Sequence, residues 1–254
     1  MNPERSKAVE RDQVIESEKP RCECGVFAVY EPDADVAREA YLALRTLQHR
    51  GHESAGIAVS DGIELDRHAG EGLVSQIFTR TDLDRLTGIM AIGHNRYSTA
   101  GGSTSEDLHP FMASGELGDL ALAHNGNLTN VDELAGDLAA RGIRPEGTTD
   151  SELAALWIAT ADGDSWEENI EQYVERARGA YSMAVLTNES IYAFRDPHGV
   201  RPLEIGRTEQ GWAVSSETMT FRTLGYRPYR SVAPGEIVRF GEEGIRTVSH
   251  QPAE

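Results

Sequence analysis

Cys24 stands where a long polar stretch gives way to the apolar run CGVFAVY, so a thiol sits at the mouth of a strand-like segment. If the chain is cut before it, Cys24 acquires a free α-amine whose ordinary pKa, about 7.7–8.0, suits a general base near neutral pH. One residue then supplies both nucleophile and base, with the amine in place of a separate histidine. Taken alone, such a cysteine reads equally as a buried core residue, and that reading is the commoner one. Asn125-Gly126 is likewise ambiguous: an amide beside a bare backbone N–H suits a developing oxyanion, yet Asn-Gly is also a frequent tight-turn dipeptide. Cys22 is the only other cysteine. It precedes Glu23 with no adjacent apolar strand, which makes it the poorer nucleophile. A pair separated by one residue cannot staple distant parts of a fold, and no structural zinc or iron–sulfur site is expected from this chain alone. His49, His52, His94, His109 and His124 fall in or near polar clusters, but none has HxxxH or HExxH spacing. They read as hydrogen-bonded core or motif residues, and no metal is expected.

Positioning these groups requires elements that end at them. Residues 1–23 mix charges of both signs with almost no apolar periodicity and read as a solvated leader, leaving 24–254 as one domain. Residues 35–48 place Val36, Ala40, Leu44 and Leu47 at helical spacing, stopping near Gly51. GIAVSDGIELDRH reads as a hairpin turning at Asp61-Gly62. IMAIGHNRYS and LALAHNG are apolar strands that run straight into polar clusters, as expected where buried strands end at a site. TTDSELAALWIAT opens with a capping box, Thr149 to Glu152, and continues as a helix. After a further helix at WEENIEQYVERAR, the segments AYSMAVL, IYAFRD, LEIG, WAVSS, YRSV and EIVRF alternate like strands of an antiparallel sheet.

Composition narrows the partners. The chain has 24 basic and 42 acidic residues, a net charge of −18, and Lys7 and Lys19 are its only lysines. Nucleic acid and anionic membrane need a positive face and are not expected as partners. An acidic, arginine-retaining surface is compatible with a high-salt cytoplasm. No apolar run approaches the roughly 18 residues of a membrane span, and residues 1–23 hold no secretory apolar core, so a cytoplasmic location is expected.

Five segments in fixed order give the combination its specificity. Cys24-Gly25-Val26-Phe27, Leu47-Gln48-His49-Arg50-Gly51-His52-Glu53-Ser54-Ala55-Gly56, Gly93-His94-Asn95-Arg96-Tyr97-Ser98-Thr99-Ala100-Gly101, Ala123-His124-Asn125-Gly126-Asn127-Leu128 and Thr149-Asp150-Ser151-Glu152 resemble the ordered motifs of class II glutamine amidotransferases. The LQHRG wording, Asp196-Pro197-His198-Gly199-Val200-Arg201-Pro202-Leu203, Ser216-Glu217-Thr218 and Pro234-Gly235-Glu236 resemble the amidophosphoribosyltransferase branch, whose reaction begins purine synthesis. A YRGYDS-like segment at 49–54, expected in glucosamine-phosphate synthases, is missing.

The resemblance implies an α+β fold, the four-layer αββα sandwich of two antiparallel sheets found in N-terminal-nucleophile hydrolases. It implies that Cys24 attacks the side-chain amide of glutamine, with the Asn125 side chain and the Gly126 N–H as oxyanion hole. Arg96 is then expected on the substrate carboxylate, Asp150 on its ammonium, Thr99 as an added hydroxyl, and Arg50 as the residue that orders the closed site. Departures are mild: Ala28, His52 and Asn95 replace commoner residues without touching an assigned role. No acidic Asp-Asp motif or glycine-rich loop for phosphoribosyl pyrophosphate precedes Glu254. The phosphoribosyltransferase domain is expected to be absent from this chain, and with it any magnesium or iron–sulfur cluster. The expected partners are glutamine and a synthase domain or subunit, with homo-oligomers allowed, and the chain alone is expected to be a weak glutaminase. Alternatives are a non-catalytic glutamine-sensing module, or the glutaminase subunit of another class II amidotransferase.

Overall fold

The computed structural model describes residues 24–97, 108–147 and 149–253; the expected leader and Thr99 lie outside the described residues. From Cys24 the chain enters β1 (Gly25–Tyr30), buried throughout, then α1 (Val36–Thr46), whose first turn is capped by the Asp35 carboxylate accepting from Arg38 N. A single 3-10 turn, Gln48–Arg50, follows, so the expected helix over 35–48 breaks at Leu47. β2 (Ser54–Ser60) and β3 (Leu65–Glu71) form the expected hairpin, its turn held by Asp61 accepting from Ile63 N and Glu64 N. Two short helices, α2 (Val74–Ile77) and α3 (Arg80–Arg85), lead to β4 (Met90–Arg96).

The second half opens with β5 (Phe111–Gly115) and β6 (Gly118–Leu128), then α4 (Val131–Ala140), α5 (Asp150–Ala159) and α6 (Trp166–Arg176). β7 (Gly179–Thr187), β8 (Ile191–Arg195), β9 (Glu204–Arg207) and β10 (Trp212–Ser215) follow, then α7 (Met219–Leu224), β11 (Arg227–Ser231), β12 (Glu236–Gly241) and β13 (Gly244–His250).

Two antiparallel sheets result, in the orders β11-β9-β10-β1-β4-β2-β3 and β13-β12-β8-β7-β6-β5. The strands after residue 179 therefore do not share one sheet: β7, β8 and β12 join the second, β9, β10 and β11 the first. Alternation along each strand separates the layers. Val26, Ala28 and Ile92 of the first sheet meet Ala121, Ala123, Ala184 and Ala193 of the second in the central layer. Phe27, Val29 and Ile57 point the other way, against Ala40, Leu44 and Phe221 of α1 and α7. On the far side, Leu120, Leu122 and Met183 lie under Leu138, Ile158 and Tyr173 of α4, α5 and α6. The architecture is the expected αββα sandwich, and because both faces of the central strands are buried, they read as continuous apolar runs.

α1 also fixes β4 just ahead of its polar end. Leu44 packs directly on Gly93, and its carbonyl accepts a 2.8 Å hydrogen bond from Asn95 Nδ2. Truncating such a fully buried leucine costs roughly 2–5 kcal/mol.

Candidate functional site

Register brings the first group of residues together. β1 and β4 are antiparallel with Gly25 opposite Asn95, which carries Cys24 to the level of Arg96 at the end of β4. On the other flank of β4, Arg96 is paired with Ser54 of β2. The Gln48–Gly51 segment passes against this strand end so closely that a Cβ on Gly51 would lie 2.6 Å from the Arg96 carbonyl oxygen. That passage aims Arg50, whose Nε donates to the Cys24 carbonyl at 3.1 Å and whose Nη1 donates to Glu217 Oε1 at 2.8 Å. His49 Nε2 reaches the same oxygen at 2.9 Å. Burial pushes the Glu217 carboxyl up, but the hydrogen bonds from Arg50 and His49 outweigh it and hold it below the usual range. Next to it, Ser216 N donates to Val26 O and Val26 N to Ser216 Oγ, locking the start of β1 to the end of β10.

The second group stands on β6, in the other sheet. Ala121 and Ala123 face the central layer, so by alternation Asn125 faces it too, on the side to which Val26 and Ala28 place Cys24. The Asn125 side chain is fully buried, yet neither its nitrogen nor its oxygen has a hydrogen-bond partner among the described residues. Gly126 has φ +146°, and a Cβ there would lie 2.1 Å from the Ala180 carbonyl oxygen, so only glycine fits. β5 begins at Phe111, opposite Leu122, so beyond that point β6 has only β7 beside it among the described strands.

Asp150 opens α5, where the helix dipole favours an anion. Its Oδ2 accepts from Leu128 N at 2.9 Å, while Oδ1 lies 3.6 Å from His124 Nδ1. Thr149 caps the helix by accepting from Glu152 N, but Glu152 does not reciprocate as the expected capping box requires. It reaches back further, accepting from Glu146 N and Gly147 N at 2.7 and 2.8 Å.

The histidines divide. His94, His109 and His124 are buried, with His94 and His109 stacked at 4.2 Å between ring centroids. His49 and His52 are instead exposed, so they are not core residues. Burial takes His94 down to about 3, and His124 is also lowered by burial, with Asp150 opposing and Arg201 reinforcing the shift. Among the described residues no three His, Cys, Asp or Glu side chains converge as a metal site.

The fold thus gathers Cys24, Arg50 and Arg96 at one strand end of the first sheet, with Asn125 and Gly126 on the facing sheet and Asp150 behind them. Sequence reasoning assigned no role to Glu217, which organises Arg50 and His49. It stands 167 residues from Arg50 and 168 from His49, beyond any local spacing signal.

Comparison with known proteins bears on the family and the fold. A family model described as a glutamine amidotransferase domain matches residues 94–223, half of the chain. The amidophosphoribosyltransferase of Synechococcus elongatus is 44% identical over 236 residues, covering 91% of this chain and 48% of that protein. Among solved structures, the B. subtilis glutamine phosphoribosylpyrophosphate amidotransferase complexed with ADP and GMP has a TM-score of 0.82 at 34% identity. That match covers 89% of this chain and 49% of that one. A structure described as the allosteric regulatory enzyme of purine biosynthesis has a TM-score of 0.84 at 36% identity, covering 90% and 50%. The chain spans about half the length of these relatives. With the motifs in family order, two facing antiparallel sheets between helical layers, and a family model matched over half its length, the chain belongs to the class II glutamine amidotransferases, enzymes of the N-terminal-nucleophile fold.

Proposed function

We propose that this chain is the glutamine-hydrolysing half of an amidophosphoribosyltransferase, releasing ammonia for 5-phosphoribosylamine formation in purine synthesis by a phosphoribosyltransferase domain or subunit. Removal of residues 1–23 gives Cys24 its α-amine, which takes the thiol proton. The thiolate attacks the side-chain amide carbon of glutamine, and the tetrahedral oxyanion is met by Asn125 Nδ2 and the Gly126 N–H. Collapse of this intermediate returns the proton to the leaving nitrogen, expels ammonia and leaves a γ-glutamyl thioester. Water, deprotonated by the same amine, hydrolyses it to glutamate. Arg96 holds the substrate α-carboxylate, Asp150 its α-ammonium, and Thr99 adds a hydroxyl. Arg50, bonded to the Cys24 carbonyl, ties the QHRG turn to the nucleophile.

The observation that carries this reading is the Asn125 amide, buried and without a partner among the described residues on the face of β6 that looks toward Cys24. A buried amide left unpaired costs about 1–3 kcal/mol, a cost that makes sense when a substrate oxygen supplies the missing acceptor. Magnesium and any iron–sulfur cluster belong, on this reading, to the phosphoribosyltransferase partner. No described helix is long and apolar enough to cross a membrane, and we assign the enzyme to the cytoplasm.

The test is an intact mass and N-terminal peptide map, with and without a glutamine analogue that alkylates active-site thiols. The expected result is a chain starting at Cys24 with one label on it, and glutamate release that Cys24→Ala abolishes. A full-length chain that takes no label would instead make this a glutamine-sensing module, and activity lost in Cys22→Ala but kept in Cys24→Ala would overturn the nucleophile assignment.

A further inference from the structure

We propose that His94 is a positioning residue of the glutamine site: its ring sets the peptide that carries Asn125 and Gly126, and so sets where the oxyanion donors stand. The inference rests on the glutaminase reading. His94 Nε2 lies 2.8 Å from the His124 carbonyl oxygen. A carbonyl only accepts, so Nε2 carries the hydrogen and donates. That carbonyl belongs to the peptide whose nitrogen is Asn125 N, one residue before Gly126. It also lies where β6 has run past its last described β5 partner, Leu122.

The ring itself is held rigidly. Behind it, Leu44 packs on Gly93 and accepts from Asn95 Nδ2, fixing β4 on either side of His94. One face stacks on His109, which meets Phe111 edge-on at 4.8 Å. His94 Nδ1 is buried without a partner among the described residues. A leucine or phenylalanine would fill the same space without burying a bare nitrogen, so packing alone does not call for histidine here.

The tie continues beyond β6. The His124 ring presents Nδ1 to Ser151 Oγ at 2.9 Å and to Asp150 Oδ1 at 3.6 Å. A single line of contacts therefore runs from β4 through β6 to the start of α5. It holds the groups for the substrate amide and for its ammonium in one frame, and Arg96 lies two residues beyond His94 on the same strand. A displaced oxyanion peptide weakens stabilisation of the transition state more than binding of glutamine.

The experiment compares His94→Leu and His94→Gln with wild type in the full processed chain, measuring glutamate release and thermal midpoint. We expect H94L to lose roughly ten- to hundredfold in kcat with KM within about twofold of wild type. H94Q, whose amide nitrogen reaches the place of Nε2, recovers most of that loss. Wild-type kcat in H94L, equal losses in both variants, or a loss confined to KM overturns the proposal. If H94L does not fold, His94→Asn replaces it, because its shorter amide falls short of the carbonyl; equal kcat in H94N and H94Q then overturns the proposal. Thiol labelling separates the two levels. A wild type that takes no label at Cys24 overturns the glutaminase reading and this inference with it, whereas normal labelling with an unaffected H94L overturns this inference alone.

Discussion

Asn125 and Gly126 are neighbours on one strand, yet their substitutions should separate stability from activity. The Asn125 amide is buried with neither polar atom paired among the described residues, so folding gains nothing from its polarity. Asn125→Leu, which has the same branched shape and number of side-chain heavy atoms, is expected to keep or raise the thermal midpoint while lowering kcat by about 10²–10³, the usual loss for one oxyanion-hole donor. Gly126→Ala should lose both, because the new methyl would meet the Ala180 carbonyl at 2.1 Å in a φ region closed to alanine. Melting curves and steady-state glutamate release on the two variants check the pair of outcomes; a destabilised Asn125→Leu would mean that the amide has a structural partner after all.

Between elements, the β4 to β6 tie makes a pH prediction. His94 sits at about 3 because burial disfavours its charged form, with His124 and Arg96 opposing charge as well and the His124 carbonyl partly favouring it. In the unfolded chain it titrates near 6.5, so between those values the unfolded state binds a proton that the folded state refuses. Stability therefore falls as pH drops through that window, by about 2 kcal/mol from pH 7 to pH 5 for this residue. His124, also lowered, steepens the same slope, whereas Glu217 and Glu236, both held low, begin to matter only once the pH enters the usual carboxylate range and falls through it. Urea unfolding of wild type and H94Q at pH 7 and pH 5 should show a smaller drop in the variant. The approach to α5 yields a second expectation. Glu152 binds two backbone N–H groups of the preceding loop, so Glu152→Ala should cost about 2 kcal/mol in urea unfolding and raise KM for glutamine by loosening Asp150.

Over the whole molecule, a net charge of −18 opposes compaction. Raising NaCl from 0.1 to 1 M shortens the screening length from about 10 to about 3 Å, which relieves long-range repulsion more than it weakens contacts such as Arg176 with Glu133 and Asp137. The thermal midpoint is expected to rise over this range. A fall would mean that such ion pairs outweigh the repulsion.

The family was legible because its motifs are contiguous, and β1, α1, the β2–β3 hairpin and α6 were legible because apolar periodicity and turn chemistry are local properties of a chain. Periodicity says that a segment is a strand, but not which sheet it joins: β7, β8 and β12 went one way, β9, β10 and β11 the other. The short α2, α3 and α7 and the strand β5 carried too little pattern to be read at all. Glu217 meeting Arg50, His94 meeting the carbonyl before Asn125, and Asn125 buried with no partner among the described residues were decided by the tertiary structure alone. Each depends on packing between segments far apart in the sequence, and no residue spacing along a chain records the distance between two sheets.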